Sequence, residues 1–295
     1  MNNNTSKLEM LREKTITMKE KSPVLLGVIL LVTSFLISRV LHLFYDLTGI
    51  LAGGSHLELM IKELIFVGEV VVALWLTGQK HIFRNKLKGF FSTFWSGTVI
   101  LLSIILTIII DLVMAAQDGM AMRSIPEIVM FGVFLLAVGF AEEVFFRGII
   151  CEGINRKYGN TGLGALFAVL SSSVIFGCAH ISNAFVGQAL DITIIQIICT
   201  TFIGFVFGVI YLKRRNIFAI ALIHALFDLG AMYLNGVYNI GSLLESNSTD
   251  AALPSIGILI ADNGFYFILG IIIFLPYMIK LNKNRKQQAI AYATA

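Results

Sequence analysis

The chain has 295 residues, of which 57% are hydrophobic and only 14% are charged, and its mean hydropathy is +0.85. This apolar share exceeds that of soluble domains and excludes a water-soluble globular protein. The formal net charge of +4 is explained by membrane topology and by attraction to anionic lipid headgroups, and it requires no nucleic-acid partner.

Eight apolar stretches follow one another along the chain, each of roughly 18 residues or more, the length that a helix needs to cross a hydrocarbon core of about 30 Å. Their bounds are 24–45, 57–77, 90–116, 126–150, 163–184, 192–212, 217–234 and 256–279. The sequence therefore predicts an all-α, polytopic membrane protein with about eight transmembrane helices.

The residues outside these stretches divide the chain into three parts. Residues 1–23 form an N-terminal tail, residues 24–279 a single transmembrane domain, and residues 280–295 a C-terminal tail. We expect both tails to be flexible. The first stretch follows a polar leader and has no small-residue cleavage site after it, so we expect it to be retained rather than removed as a secretory signal.

Lysine and arginine residues are unevenly distributed between the loops. They accumulate in the two tails and in the loops after the second, fourth and sixth stretches, whereas the opposite loops hold only Arg123. Basic residues accumulate on the cytoplasmic side of short loops. We therefore expect both termini to be cytoplasmic, which agrees with an even number of helices.

Three ionisable residues interrupt the fourth stretch, which reads "VGFAEEVFFRGII" from residue 138. An ionisable group at membrane depth normally faces the protein interior and has a partner or a function. Glu143 and Arg147 are four residues apart on one helical face, which predicts an internal ion pair. Glu142 is rotated about 100° away from Glu143, so it must be protonated or held by donors from other helices.

Candidate donors stand on two further helices. The fifth stretch contains "FGCAH", which ends at His180, and the seventh contains "HALFD", which places His224 and Asp228 four residues apart on one face. Together with Glu142 they form a set of proton-transfer or metal-ligand residues drawn from three separate apolar helices. We refer to Glu142, His180, His224 and Asp228 as the four site residues.

The depths of these residues do not coincide if the helices are straight. At 1.5 Å per residue, Glu142 lies about 22 Å, His224 about 12 Å and His180 about 30 Å from the predicted cytoplasmic ends of their helices. Either the fifth helix begins with a segment outside the bilayer, or the helices are tilted or offset.

Structural and functional alternatives remain open for this set. A single histidine in a membrane helix can serve as a hydrogen bonder between helices, and Glu143 with Arg147 can be purely structural. The whole set can also belong to a non-catalytic scaffold or to a proton-coupled transporter. Against a transporter, the two halves of the chain contain no matching segments interrupted by Gly or Pro. Three further membrane carboxylates can equally line a pocket or pair with Lys62, and we assign them no role: Glu63, Glu69 and Asp111.

Small residues in the apolar stretches predict packing rather than chemistry. Gly204 and Gly208 are four residues apart, which lets another helix approach closely, and we expect this approach to be internal. The three cysteines show no paired spacing typical of a disulfide or a zinc knuckle. We expect small core residues at Cys151, Cys178 and Cys199.

Three motifs in this order resemble those of the CPBP intramembrane proteases, also called the Abi family, which includes the CAAX endopeptidases. "EEVFFR" fits EExxxR, "FGCAH" fits FxxxH, and "HALFD" fits HxxxN/D. The resemblance covers roughly residues 126–234, the expected catalytic core, and the family also suits an eight-helix plan. One departure is Asp228, which stands where the eukaryotic CAAX proteases carry Asn, and this puts an oxyanion role for that position in doubt.

The resemblance implies a role for each matching residue. Glu142 would act as general base on a water molecule that His180 positions or polarises, and His224, with Asp228, would stabilise the tetrahedral oxyanion. Peptide hydrolysis needs such a base, and it needs donors where negative charge develops. The resemblance also implies supporting roles for Glu143, Arg147 and Phe176.

The resemblance leaves two possibilities for a metal. The family has been described as metalloproteases, and the four site residues could ligate Zn²⁺ with an open position. The zinc-protease motif HExxH is absent, however, and what is known of the family's structures favours a metal-free mechanism with a glutamate base. We therefore expect no cofactor and keep Zn²⁺ as the alternative.

The function that the resemblance implies is an intramembrane endopeptidase acting on a membrane-associated peptide or protein. Lys- and Asn-rich tails and Ile-rich helices indicate an AT-rich bacterial genome, so we expect a multi-pass protein of the bacterial plasma membrane. In bacteria the resemblance points to the maturation of peptide pheromones or bacteriocins, to bacteriocin self-immunity or to regulated proteolysis.

Overall fold

The computed structural model describes residues 6–48, 56–85, 87–239 and 256–293. Within these residues the regular elements are helices, and the one β contact is an isolated bridge between Met122 and Tyr238. The α-helices are α1 Lys7–Lys21, α2 Pro23–Thr48, α3 His56–Thr77, α4 Phe90–Trp95, α5 Thr98–Gln117, α6 Ile125–Glu142, α7 Glu152–Tyr158, α8 Gly162–Ala179, α9 Leu190–Arg214, α10 Ile217–Ala231, α11 Tyr233–Val237 and α12 Ile256–Ala293. A π-helical segment, Glu143–Cys151, joins α6 to α7, and 3₁₀ helices follow α3 and α8 at Lys80–Arg84 and His180–Val186.

Six helices in the described residues are long and apolar enough to cross a membrane. They are Pro23–Leu41, Thr98–Gln117, Ile125–Tyr158, Gly162–Phe185, Leu190–Arg214 and Asn263–Gln288. The chain is thus an all-helical, multi-pass membrane protein, as the sequence predicts. The other two predicted spans differ for identifiable reasons: α3 carries several charged residues, and α10 is a shorter apolar helix, Ile217–Ala231.

The start of α10 lies inside the protein. Asn216, which caps this helix, is fully buried. Its side-chain oxygen accepts a hydrogen bond from the Ala219 amide at 2.9 Å, and its side-chain amide donates to the carbonyl oxygens of Asn85 at 2.7 Å and Lys88 at 3.2 Å. Residues Asn85 and Lys88, which precede α4 in the chain, therefore cover the start of α10.

Both tails contain helix where flexible chain was expected. Residues 7–21 form α1, which begins with a capping box between Ser6 and Glu9. Its side chains bond to the end of α3: Lys19 Nζ donates to the Thr77 carbonyl at 2.5 Å, and Arg12 Nε donates to that of Trp75 at 3.1 Å. Burial, with the neighbouring Arg156, lowers the pKa of Lys19. At the other end, α12 continues through the predicted C-terminal tail to Ala293.

Glycines in α9 permit close internal packing, as predicted. A Cβ atom at Gly204 would lie 2.7 Å from the Phe176 ring, and one at Gly208 would lie 2.9 Å from a Val169 methyl group. Side chains at these positions would therefore clash with neighbouring helices. The prediction for the cysteines holds for one of them: Cys151 is buried, Cys199 is half-buried and Cys178 is exposed.

Candidate active site

The helix that carries both glutamates changes its geometry directly after Glu142. There α6 continues as the π-helical segment, whose nine residues are all buried. Such widened turns are frequent at functional sites. Gln79 lies just beyond α3 and is fully buried. Its side-chain amide donates to the carbonyl oxygens of Gly148 at 2.9 Å and Ile149 at 3.0 Å, which anchors the segment to the end of α3.

The predicted ion pair is present within this segment. Arg147 Nη1 lies 2.9 Å from Glu143 Oε1, and neither side chain is appreciably exposed. Arg147 Nη2 donates to the Gly204 carbonyl oxygen at 3.0 Å. The guanidinium group also lies 4.6 Å from the ring centroid of Phe176 and 5.5 Å from that of Phe207, within cation–π range. These contacts hold the Glu143 carboxylate in place.

His224 links the two adjacent glutamates. Its Nδ1 lies 2.8 Å from Glu143 Oε1. Since that carboxylate is paired with Arg147, we assign the proton to Nδ1 as the donor. The Nε2 atom then faces Glu142 Oε2 at 3.4 Å and Asp228 Oδ2 at 3.5 Å. The structure thus brings Glu142, His224 and Asp228 together around one imidazole edge.

His180 approaches the same group through Phe176. The histidine ends α8, and its Nδ1 lies 3.3 Å from the Phe176 carbonyl oxygen. The Phe176 ring makes edge-to-face contacts with the rings of His180 and His224, at centroid distances of 5.3 and 5.8 Å. His180 is also close enough to Asp228 and His224 to interact with them electrostatically. All four site residues therefore belong to one cluster.

A cavity of about 210 Å³ opens beside Glu142, between α2, α3, the π-helical segment and the end of α8. The Glu142 side chain is 23% exposed, whereas that of Glu143 is 0% exposed. Only the first of the two carboxylates can therefore meet a water molecule or a substrate. Polar and aromatic side chains share the lining with Glu142: Ser34, Ser38, Lys62, Glu69, Ser182, Phe35, Phe66, Phe145 and Phe146.

The segment from the start of α6 to the end of α10 matches a known family. Residues 124–230 match the family model described as type II CAAX prenyl endopeptidase, Rce1-like. This matched segment is therefore similar to CAAX protease domains. The match confirms the resemblance seen in the three motifs and contains all four site residues. No curated protein and no solved structure matches the chain.

Residues outside the matched segment also reach the site. Lys62 and Glu69 of α3 line the cavity, and Glu63 is close enough to interact electrostatically with Glu142, Asp228 and His224. The sequence analysis assigns no role to Glu63 or Glu69, although the seven-residue spacing of Lys62 and Glu69 places these two on one face of α3. For Gln79 the sequence carries no signal, because its partners are main-chain oxygens.

The four site residues do not fit a metal centre as they are arranged. Within the described ranges, no group of three or more His, Cys, Asp or Glu side chains has a geometry that could hold a metal ion. His224 Nδ1 is engaged by Glu143, so this imidazole has only Nε2 to offer to an ion. We derive no chemical step through a metal.

Proposed function

We propose that the chain is an intramembrane endopeptidase that hydrolyses a peptide bond of a membrane-associated peptide or protein, with Glu142 as the general base. One observation carries the proposal: the Glu142 carboxylate lines a cavity while it contacts a histidine that is anchored on a buried ion pair. The match of residues 124–230 to the CAAX prenyl endopeptidase family model also supports this proposal.

In the first step Glu142 removes a proton from a water molecule in the cavity. The water oxygen attacks the scissile carbonyl carbon, and the carbonyl π electrons move onto the carbonyl oxygen. His180 positions the water: because its Nδ1 bonds to the Phe176 carbonyl oxygen, its Nε2 is the acceptor for the second water hydrogen. General-base assistance of this kind contributes about 10²–10⁴-fold to a rate.

His224 stabilises the resulting oxyanion. Its Nδ1–H is held by Glu143, so a protonated imidazole directs its Nε2–H into the site, towards the developing negative charge. Asp228 lies 3.5 Å from the same nitrogen. An ionised carboxylate repels an oxyanion, so we assign Asp228 to orienting His224 and stabilising its positive charge rather than to donating a hydrogen bond.

The tetrahedral intermediate then collapses. The carbon–oxygen double bond re-forms, the carbon–nitrogen bond breaks, and the leaving nitrogen takes the proton that Glu142 holds. This returns Glu142 to its ionised form and leaves a carboxylic acid and an amine as products. The scheme is metal-free and requires no cofactor.

The finer topology and the biological role belong to the same proposal. We assign eight transmembrane helices by adding α3 and α10 to the six long spans, and we place both termini in the cytoplasm of a bacterial cell. The substrate is a peptide or protein at the plasma membrane. Maturation of a peptide pheromone or bacteriocin, self-immunity and regulated proteolysis are the roles that suit such an enzyme.

The test compares wild type with Glu142→Gln at equal membrane abundance in the native host. New protein N-termini are identified by mass spectrometry, with Asp111→Asn as a control that removes a carboxylate outside the cavity lining. Termini present with wild type and the control but absent with Glu142→Gln support the proposal and name candidate substrates. If the N-terminal profiles are identical and the Gln variant still loses the host phenotype, the endopeptidase proposal fails. A scaffold or a proton-coupled transporter then takes its place.

A further inference from the structure

The cavity beside Glu142 carries more negative than positive charge. Among the described residues that line it, two carboxylates, Glu69 and Glu142, face a single ammonium group, that of Lys62. A concave, partly apolar site with an excess of one charge attracts the opposite charge and rejects the same charge.

We propose that Glu69 determines specificity by binding the ammonium or guanidinium group of a Lys or Arg side chain that flanks the scissile bond. This inference rests on the proposed function, because the same cavity presents Glu142 to the scissile bond. It adds a substrate class: peptides with a basic residue beside the cleaved bond.

The Glu69 carboxylate retains hydrogen-bonding capacity for such a ligand. Ser34 Oγ donates to Glu69 Oε2, and this is the one hydrogen bond to the carboxylate within the described ranges. An ionised carboxylate accepts about four hydrogen bonds. A half-buried carboxylate at membrane depth normally has a charged partner or a function, and a bound substrate cation would supply that partner.

The cavity walls suit the rest of a Lys or Arg side chain. Phe35, Phe66, Phe145 and Phe146 surround the polar groups. Aromatic faces pack against an aliphatic stem and attract its cationic head. The cavity volume of about 210 Å³ is below the range of roughly 300–1,000 Å³ typical of whole-ligand pockets. It therefore holds one or two side chains rather than an entire peptide.

The charges on α3 give the site a direction. Lys62, Phe66 and Glu69 have the i, i+4, i+7 spacing of one helical face. Seven residues correspond to a rise of about 10 Å, so Lys62 and Glu69 lie towards opposite ends of the cavity. A substrate cation is therefore attracted to the Glu69 end of the cavity.

The experiment uses the full-length protein in lipid nanodiscs and three peptide probes. A peptide cleaved in the host comparison is synthesised with Lys, Met or Glu at the residue flanking the cleaved bond, on either side in turn. We expect wild type to cleave the Lys peptide with a kcat/KM at least about tenfold above that of the Met peptide, as for a desolvated charge pair. Glu69→Gln removes this advantage, so that the Lys and Met peptides are cleaved with kcat/KM values within about twofold of each other.

Charge reversal and a catalysis-independent measurement complete the design. Glu69→Lys should shift the preference to the Glu peptide, a gain that misfolding cannot produce. In the Glu142→Gln background, the Lys peptide should bind more tightly than the Met peptide, and addition of Glu69→Gln should abolish the difference. Ser34→Ala, which keeps the carboxylate, and Asp111→Asn should both retain the Lys preference.

The outcomes separate the two proposals. If wild type cleaves none of the probes, the proposed function fails and the specificity proposal fails with it. If wild type cleaves them without a Lys preference, or if Glu69→Gln and Ser34→Ala slow all three equally, only the specificity proposal is overturned. Glu69 would then serve to hold α2 against α3.

Discussion

Two adjacent glutamates occupy very different surroundings because of one residue of helical rotation. Glu143 is fully buried and paired with Arg147, whereas Glu142 reaches the cavity. A rotation of about 100° per residue predicts that they face different neighbours. The motif alone does not say which one meets water. The difference in exposure makes this assignment, with Glu142 available for chemistry and Glu143 available to orient His224.

The Glu143–Arg147 pair should matter for stability rather than for chemistry alone. We expect Arg147→Met to destabilise the protein by about 3–5 kcal/mol, because removal of one partner leaves a buried carboxylate unpaired. The melting temperature in detergent measures this effect. Glu142→Gln serves as the control and should leave the melting temperature unchanged while it abolishes cleavage.

A double variant tests the reason for that loss. Glu143→Gln combined with Arg147→Met removes both charges, so it should recover part of the melting temperature lost in Arg147→Met. It should not recover cleavage, since His224 loses its anionic partner. The contrary result is simple additivity, in which the double variant loses as much stability as the two single variants together. The two side chains would then be energetically independent, and the assignment of an ion pair would be wrong.

At the scale of single elements, the π-helical segment depends on a residue far away in sequence. Gln79 provides its amide group to two carbonyl oxygens of the segment. We expect Gln79→Leu to cost about 1–3 kcal/mol, because it removes two buried hydrogen bonds to the segment. It should also lower the cleavage rate, since the segment begins directly after Glu142. Gln188→Leu, at a part-buried loop position away from the segment, is the matched control.

The packing of α9 against the site gives a second prediction for an element. A methyl group at Gly204 would lie 2.7 Å from the Phe176 ring and 3.1 Å from Arg147 Nη2. We expect Gly204→Ala to cost about 1–3 kcal/mol and to slow cleavage, because Phe176 contacts both histidines. Gly132→Ala in α6 has open space around the new atom and should have little effect. Equal melting temperatures and rates for the two variants would contradict the packing argument.

Periodicity and motif spacing predict most of these elements but not their irregularities. Apolar length predicts the six long spans, and the four-residue spacing predicts the Glu143–Arg147 pair. The π-helical turn after Glu142 and the buried start of α10 depend on tertiary hydrogen bonds from Gln79 and Asn216, which no local pattern shows. The helix α1 was missed because its charged sequence is typical of a solvated tail.

At the scale of the whole molecule, the segment that resembles a CAAX protease domain does not build the cavity alone. The match covers residues 124–230, whereas α2 and α3 lie before it and contribute Ser34, Lys62 and Glu69 to the cavity lining. The four site residues therefore come from the matched segment, whereas much of the cavity lining comes from helices before it. Substrate preference can consequently change through α2 and α3 without any change in the three motifs.

The membrane topology can be tested with single cysteines and a membrane-impermeant thiol reagent. In a background with the three native cysteines replaced by Ala, Arg123→Cys should react on intact cells. Lys14→Cys, Lys88→Cys and Lys283→Cys should react only after permeabilisation. This pattern follows if all eight helices cross and the basic loops lie in the cytoplasm.

Positions 88 and 283 test whether α3 and α10 cross the membrane, which helix length and composition leave open. With the N-terminus in the cytoplasm, α2 carries the chain outwards and α3 must return it. If α3 does not cross, Lys88→Cys reacts on intact cells. In the same way, α9 returns the chain to the cytoplasm, and only a crossing α10 lets α12 bring the C-terminal residues back. If α3 crosses but α10 does not, Lys283→Cys reacts from outside, so the two labelling results together decide whether eight helices span the membrane.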